Sequence, residues 1–180
     1  MLRKSFEAIL GVRIAESLNY AEMAQHFGFH CSDMFKWVCN AVKPEKRNEL
    51  SFPEYVHMVS YFSMFTRAEL IKFMFGNMDP DKLGYLFEEG WSKFCDILAE
   101  EGPYNPAPWK KQFKNYYDKR LKMIFCAQFD KFSAQFPQSL WVAQEMQKKI
   151  KTFNLGEMFW EGKMNKYRIV REQAGINLIK

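Results

Sequence analysis

The chain has 180 residues, of which 48% are hydrophobic and 26% are charged. This composition excludes a disordered chain and predicts a globular protein long enough to bury a sizeable core. The net charge of +5 is uneven: residues 1–90 carry 10 basic and 12 acidic side chains (net −2), and residues 91–180 carry 16 and 9 (net +7). The C-terminal half therefore either contacts an acidic surface or is simply solvated.

The beginning of the chain has no secretory pattern, and we expect no membrane span. Residues 1–7 lead directly into an amphipathic segment. The uncharged run of residues 55–66 is shorter than the ~18 residues that a spanning helix needs. The four cysteines have no C-x-x-C spacing, which predicts free thiols in a reducing, intracellular compartment. The basic residues near the start favour a mitochondrial location over a ciliary or flagellar axoneme.

Apolar residues recur at helical spacing through most of the chain, which predicts an all-α fold. Three stripes with this spacing lie within residues 34–41, 87–98 and 113–124. Ser51 and Thr66 are each followed three residues later by a glutamate, a capping-box pattern that begins a helix. Strand patterns are nearly absent, and only single apolar residues in the interhelix loops are expected to form short bridges.

The chain is expected to divide into two lobes and a tail. Three prolines and a glycine mark residues 100–108 as a linker between an N-terminal lobe, 1–99, and a C-terminal helical region, 109–150. A long helix over about residues 109–129 is expected to follow the linker. Residues 151–180 are too apolar to stay solvated, so we expect them to form a docking tail.

Residues 79–90 carry the most specific motif in the chain. Asp79 and Asp81 stand at positions 1 and 3 of this stretch, with Gly84 at position 6 and Leu86 at position 8. The arrangement resembles the calcium-binding loop of the EF-hand family, whose oxygen ligands come from positions 1, 3, 5, 7, 9 and 12. The resemblance implies tandem helix–loop–helix units in which position 8 forms a short bridge between paired loops. An unrelated helical bundle with a chance match is the alternative.

The same stretch lacks residues that hold calcium in that family. Position 5 is Leu83, position 9 is Phe87, and position 12 is Gly90 in place of the bidentate glutamate. We therefore expect no bound metal or other cofactor. If calcium binds, the candidate ligands are Asp79, Asp81 and Tyr85. Without an ion, Asp79→Ala is expected to change stability by less than about 1 kcal/mol.

Other stretches match only the outline of the motif. Residues 43–54 end in Glu54 but have cations at positions 1 and 5, so we expect Glu54 to cap a helix instead. Residues 11–22 and a candidate fourth unit, 129–140, match less well. The residues at position 8 are then Leu18, Leu50, Leu86 and Phe136. The first three are 32 and 36 residues apart, close to a tandem repeat.

Other chemistry finds little support in the sequence. His26 and His30 have the i, i+4 spacing of a zinc pair, but no third ligand has a convincing position. Phosphate-binding, dinucleotide-binding, metalloprotease and serine-hydrolase motifs are absent from the sequence. The lysine-rich stretches follow helical periodicity, so nucleic-acid binding is not expected. We therefore expect that the protein is not an enzyme.

The resemblance and the apolar tail together predict a binding function. We expect a calcium-independent, EF-hand-like structural or interaction subunit of a larger protein complex, either mitochondrial or axonemal. The candidate partner-binding residues in the tail are Phe153, Phe159, Trp160 and Tyr167. The alternative is a low-affinity calcium sensor or regulatory subunit that uses the loop at residues 79–90.

Overall fold

The polypeptide is mostly helical, as its apolar periodicity predicts. The computed structural model describes residues 2–12, 15–100 and 105–155, together with Gly162, Lys163, Asn165, Lys166 and Ile169. This part of the chain forms ten helices and four short strands. It falls into two compact units. Unit 1 takes the described residues up to Phe65 and those from Glu145 onward, and unit 2 takes Thr66–Gln144.

Unit 1 contains helices connected through a short antiparallel sheet. Its first elements are α1 (Leu2–Leu10), β1 (Ser17–Asn19), α2 (Tyr20–His26), α3 (Asp33–Asn40), β2 (Glu49–Ser51) and α4 (Phe52–Ser63). The sheet pairs Leu18 with Leu50, and both side chains are fully buried. The side chain of Asn19 caps α2, and the predicted capping box of Ser51 and Glu54 begins α4.

Unit 2 repeats the combination of helices with one short antiparallel sheet. Its elements are α5 (Arg67–Met78), β3 (Tyr85–Leu86), α6 (Glu88–Glu100), α7 (Pro106–Lys111), α8 (Phe113–Tyr116), β4 (Ile124–Phe125) and α9 (Cys126–Gln135). Leu86 pairs with Ile124, and both are buried. The predicted capping box of Thr66 and Glu69 begins α5. The last helix, α10 (Gln138–Leu155), begins in unit 2 and ends in unit 1. The predicted short bridges are thus confirmed.

Aromatic side chains fill the core of unit 2. Trp91 and Phe94 are 0% and 1% exposed, so the apolar stripe predicted within residues 87–98 is buried at these two positions of α6. The Trp91 ring lies edge-on to Phe132, with centroids 4.6 Å apart. The Trp91 Nε1–H donates a hydrogen bond to the Trp109 carbonyl oxygen at 3.0 Å, so the polar atom of the buried indole is satisfied. This contact ties α6 to α7.

The compact units have other boundaries than the lobes predicted from the sequence. The predicted boundary at residues 100–108 would separate α6 from α7, but both helices belong to unit 2. The change of unit falls between Phe65 and Thr66 instead. Strand pairing explains this division, because β1 pairs with β2 and β3 pairs with β4. Residues 101–104 of the predicted linker lie outside the described residues.

Two local predictions for the C-terminal half are wrong. Residues 109–129, predicted as one long helix, instead form α7, α8, a turn, β4 and the start of α9. Residues 129–140, predicted as a fourth loop, lie mostly in α9 and the start of α10, and Phe136 follows the end of α9. Phe113 and Ile124 are buried, as the apolar stripe requires. A helix, a turn and a strand bury these residues here. The spacing of apolar residues does not distinguish this arrangement from a single helix.

Candidate functional site

Four interhelix loops share a common geometry around their bridging residue. We number them loop 1 (residues 11–22), loop 2 (43–54), loop 3 (79–90) and loop 4 (117–128). Their buried bridging residues are Leu18, Leu50, Leu86 and Ile124. Two positions earlier, loops 2, 3 and 4 have a positive φ, of 62° at Asn48, 81° at Gly84 and 55° at Lys122. This is position 6, where an EF-hand loop makes its sharp turn.

Loop 4 is the paired loop that the sequence prediction missed. The 38-residue spacing from Leu86 to Ile124 is close to the earlier spacings of 32 and 36, and this pattern could have found it. A continuous helix over residues 109–129 predicts Phe136 at position 8 instead, and this helix is interrupted in the structure. The Cα pairing of Leu86 with Ile124 identifies the correct residue.

The Asp79 carboxylate closes loop 3. Its Oδ1 accepts a hydrogen bond from the Leu83 N–H at 2.9 Å, and its Oδ2 accepts one from the Gly84 N–H at 2.6 Å. The residue is only 6% exposed, and a buried carboxylate needs such donors. The sequence predicts that Asp79→Ala changes stability by less than about 1 kcal/mol. This small value does not fit the geometry of loop 3, because both carboxylate oxygens accept hydrogen bonds from backbone N–H groups of the protein.

The other two calcium candidates have different surroundings. Asp81 is exposed, and Tyr85 is half-buried with its ring centroid 5.3 Å from Phe87 and 6.1 Å from Phe125. Within the described ranges, no group of three or more His, Cys, Asp or Glu side chains is placed to hold a metal ion. Of the three candidates, only Asp79 accepts hydrogen bonds from the backbone of loop 3.

Glu54 closes loop 2 in a similar way. Its Oε1 accepts from the Glu45 N–H at 2.8 Å, and its Oε2 accepts from the Ser51 N–H and hydroxyl, each at 2.7 Å. Its predicted role as a helix cap is confirmed. Burial alone would raise the pKa of Glu54, but hydrogen bonds from Glu45 and Ser51, together with Lys46, outweigh it and hold the pKa below its usual value.

Asp118 has the corresponding role in loop 4. Its Oδ1 accepts hydrogen bonds from the Arg120 N–H at 3.0 Å and the Leu121 N–H at 2.8 Å. Its own N–H donates to the Met123 carbonyl at 2.8 Å, which extends the pairing of the loop backbone. Loops 2, 3 and 4 are therefore each closed by one carboxylate that accepts backbone N–H groups. Residues 13 and 14 of loop 1 lie outside the described residues.

Positions 5, 7 and 9 of loops 3 and 4 carry apolar or aromatic side chains instead of acids. We call these six residues the loop face: Leu83, Tyr85, Phe87, Leu121, Met123 and Phe125. Leu83, Phe87 and Leu121 are 52%, 51% and 49% exposed. The expectation that Phe87 belongs to the buried stripe of α6 is wrong, because it precedes the helix and projects from the loop.

The second half of α10 packs on unit 1 antiparallel to α4. The Tyr55 hydroxyl donates to Asn154 Oδ1 at 2.6 Å, and both side chains are buried. Gln147 Nε2 donates to the carbonyl oxygens of Phe62 and Phe65, each at 2.9 Å, and so satisfies acceptors at the end of α4. Because Tyr55 precedes Phe62 whereas Asn154 follows Gln147, the two helices run in opposite directions.

The predicted partner anchor Phe153 contacts its own chain. Its ring lies edge-on to His26 and Phe27, with centroids 4.2 Å and 5.2 Å apart. On the same helix, Met146 and Ile150 are fully buried. Phe153 therefore belongs to an intramolecular contact in unit 1. The other predicted anchors lie outside the described residues: Phe159, Trp160 and Tyr167.

The four cysteines form no disulfide, as predicted. Burial raises the pKa of the Cys95 thiol to about 12 and also raises the pKa values of Cys39 and Cys126. A raised pKa lowers the thiolate fraction, so these three thiols are weak nucleophiles at neutral pH. Cys39 and Cys95 are fully buried in the cores of unit 1 and unit 2.

The comparisons with known proteins leave the family of this chain open. No protein-family model matches the sequence, and no curated protein matches it significantly. None of the helices in the described ranges combines the length and the apolar character needed to cross a membrane.

Proposed function

We propose that this chain is a non-catalytic, calcium-independent interaction protein with degenerate EF-hand-like units, and that it acts as a subunit of a larger assembly. The closure of loops 2, 3 and 4 by their own carboxylates carries this proposal. Calcium loops direct the carboxylates at positions 1 and 12, which are Asp79 in loop 3 and Glu54 in loop 2, to the ion. In unit 2 position 12 holds Gly90 in loop 3 and Gln128 in loop 4, so neither loop has the bidentate glutamate that binds calcium.

The pairing of the loops supports the EF-hand-like part of the proposal. Position 8 bridges loop 1 to loop 2 and loop 3 to loop 4, and position 6 has a left-handed backbone in three loops. EF-hand proteins hold amphipathic partner helices against apolar surfaces. Unit 1 packs a helix of its own chain, the second half of α10. A fold that packs helices and closes its loops with its own carboxylates suits a structural clamp.

Calorimetric titration with Ca²⁺ tests the proposal when a gain-of-binding variant is measured beside the wild-type protein. Leu83→Asp with Gly90→Glu places carboxylates at positions 5 and 12 of loop 3. A Cβ at Gly90 would approach Leu86 Cδ2 at 3.5 Å, an ordinary contact, and the backbone there is helical, so glutamate fits. We expect no saturating heat for the wild type up to millimolar Ca²⁺ and a saturable binding curve for the double variant.

Titrations of the wild type and of the double variant test calcium independence and loop geometry separately. Heat that saturates at micromolar Ca²⁺ in the wild type would reject calcium independence and favour the alternative, a calcium sensor that uses Asp79, Asp81 and Tyr85. A correctly folded double variant that still binds no Ca²⁺ would instead contradict the EF-hand-like geometry of loop 3. Mg²⁺ titrated in the same way controls for nonspecific attraction between a divalent ion and the added carboxylates.

We propose a mitochondrial complex as the larger assembly, with a ciliary or flagellar axoneme as the alternative. Support comes from Arg3 and Lys4 in the amphipathic helix α1, since such helices are typical of mitochondrial targeting. Fractionation of tagged cells followed by native purification in EDTA tests this proposal. Recovery of the protein with mitochondrial partners would support it, and recovery with the axoneme would favour the alternative.

A further inference from the structure

The loop face concentrates exposed apolar surface on one small sheet. Among the described residues, six large hydrophobic side chains are exposed, and three of them are Leu83, Phe87 and Leu121. Tyr85 and Phe125 are Cα partners across the strands, and their side chains lie on the face opposite to the buried pair at Leu86. Single exposed hydrophobics are ordinary, but a contiguous group is typical of an interaction surface.

The charges beside the loop face differ between its two loops. Loop 3 exposes three carboxylates and one lysine: Asp81, Glu88, Glu89 and Lys82. Loop 4 exposes three cations: Lys119, Arg120 and Lys122. The Asp118 carboxylate of loop 4 already accepts two backbone N–H groups. The structure gives none of these exposed acids and bases of loops 3 and 4 an ion pair within the described ranges.

We propose that the loop face binds the loop face of a second copy of this chain and forms a two-fold symmetric dimer. A two-fold interface joins the same patch on both subunits, so the patch must complement itself. An acidic loop beside a basic loop, with apolar side chains between them, meets this requirement. In the dimer, loop 3 of each copy faces loop 4 of the other copy, and the apolar residues meet at the centre.

The charge pattern favours a second copy over other occupants. An anionic membrane or a uniformly acidic protein would attract Lys119 and Lys122 but would be repelled by Glu88 and Glu89. In the two-fold arrangement each of these groups meets the opposite charge. Charges at the edge of an interface set orientation and salt dependence, whereas the central apolar contacts contribute most of the affinity. The dimer is therefore expected to weaken as salt rises.

Charge exchange tests the dimer, with sedimentation as the measurement. One variant carries Lys119→Glu with Lys122→Glu, and the other carries Glu88→Lys with Glu89→Lys. We expect the wild type to dimerise reversibly with concentration. Each variant alone is expected to be monomeric, because like charges then face each other in both contacts. An equimolar mixture of the two variants should recover the dimer, since each contact again joins opposite charges.

Recovery in the mixture separates the proposal from misfolding, because a folding defect in either variant is not repaired by the other. Phe87→Ser leaves the charges unchanged and removes an exposed ring, so we expect roughly tenfold weaker dimerisation at unchanged helicity. A wild type that stays monomeric up to several hundred micromolar overturns the proposal. The proposal is also overturned if either charge-exchanged variant alone dimerises as strongly as the wild type, or if the equimolar mixture of the two variants stays monomeric.

Vesicles of phosphatidylserine and phosphatidylcholine test a lipid occupant. Co-sedimentation of monomeric wild type with these vesicles, lost in the Lys119→Glu, Lys122→Glu variant, would assign the loop face to a membrane and overturn the dimer. The inference goes beyond the proposed function and is independent of it. A dimer that forms equally in EDTA and in Ca²⁺ would stand whatever the calorimetry shows for loop 3.

Discussion

Replacement of Asp79 by alanine removes the carboxylate that closes loop 3. The variant loses two hydrogen bonds, from the N–H groups of Leu83 at 2.9 Å and Gly84 at 2.6 Å. A hydrogen bond to a charged group contributes about 1.5–3 kcal/mol. Both donors belong to exposed residues, so water can replace the lost acceptor. We therefore expect the free energy of unfolding to fall by about 2–3 kcal/mol in total.

Urea unfolding in EDTA and in millimolar Ca²⁺ measures this loss. The loss should be the same in both solutions, because the partners of Asp79 are backbone N–H groups. Asp79→Asn keeps one acceptor oxygen and should lose about half as much, roughly 1–1.5 kcal/mol. Asp81→Ala is the matched control: this aspartate is exposed in the same loop, and its replacement should change stability by less than about 0.5 kcal/mol.

Two results would refute this reasoning. If Asp79→Ala loses no more stability than Asp81→Ala in EDTA, the hydrogen bonds of Asp79 do not hold the loop. If Ca²⁺ stabilises the wild type and Asp79→Ala abolishes that gain, an ion rather than the backbone is the partner of the carboxylate. The second result would also reject the calcium-independent function.

Two further predictions concern the core and the tail. Trp91→Ala should lower the free energy of unfolding by roughly 3–5 kcal/mol. Trp91→Phe should lower it by about 1–2 kcal/mol, because the Trp109 carbonyl loses its hydrogen-bond donor. If both variants lower the free energy of unfolding equally, the hydrogen bond and not the ring accounts for the contribution of Trp91. Deletion of residues 156–180 should leave the melting temperature unchanged while co-purification with partners is lost. Deletion of residues 151–180 should lower the melting temperature by several degrees, because it also removes the hydrogen bond between Asn154 and Tyr55. Equal melting temperatures for the two truncations would contradict the docking of α10.

Local sequence features predicted the parts of the fold that depend on neighbouring residues. The boxes at Ser51 and Thr66 begin α4 and α5 because each involves residues only three positions apart. The burial of Trp91 and Phe94 was predictable because helical spacing aligns them on one face of α6. The resemblance to an EF-hand loop implied the bridging role of Leu18, Leu50 and Leu86, but it did not identify the partner of Leu86.

The candidate site was predicted only in outline. Sequence spacing identified loop 3 and its missing calcium ligands, but it gave no information on where the Asp79 oxygens point. The structure directs both oxygens to N–H groups of the same loop. Loop 4 was missed because an apolar stripe from Phe113 to Ile124 fits a helix as well as a helix followed by a turn and a strand.

The sequence by itself determined the helical class, the helix caps, the burial of Trp91 and Phe94 and the absence of acids at positions 5, 9 and 12 of loop 3. Tertiary structure alone decided which loops pair, that Phe87 is exposed, and that Phe153 contacts its own chain. The reason is the range of the interactions. Caps and stripes join residues a few positions apart, whereas the bond from Tyr55 to Asn154 joins residues 99 positions apart, and only packing brings them together.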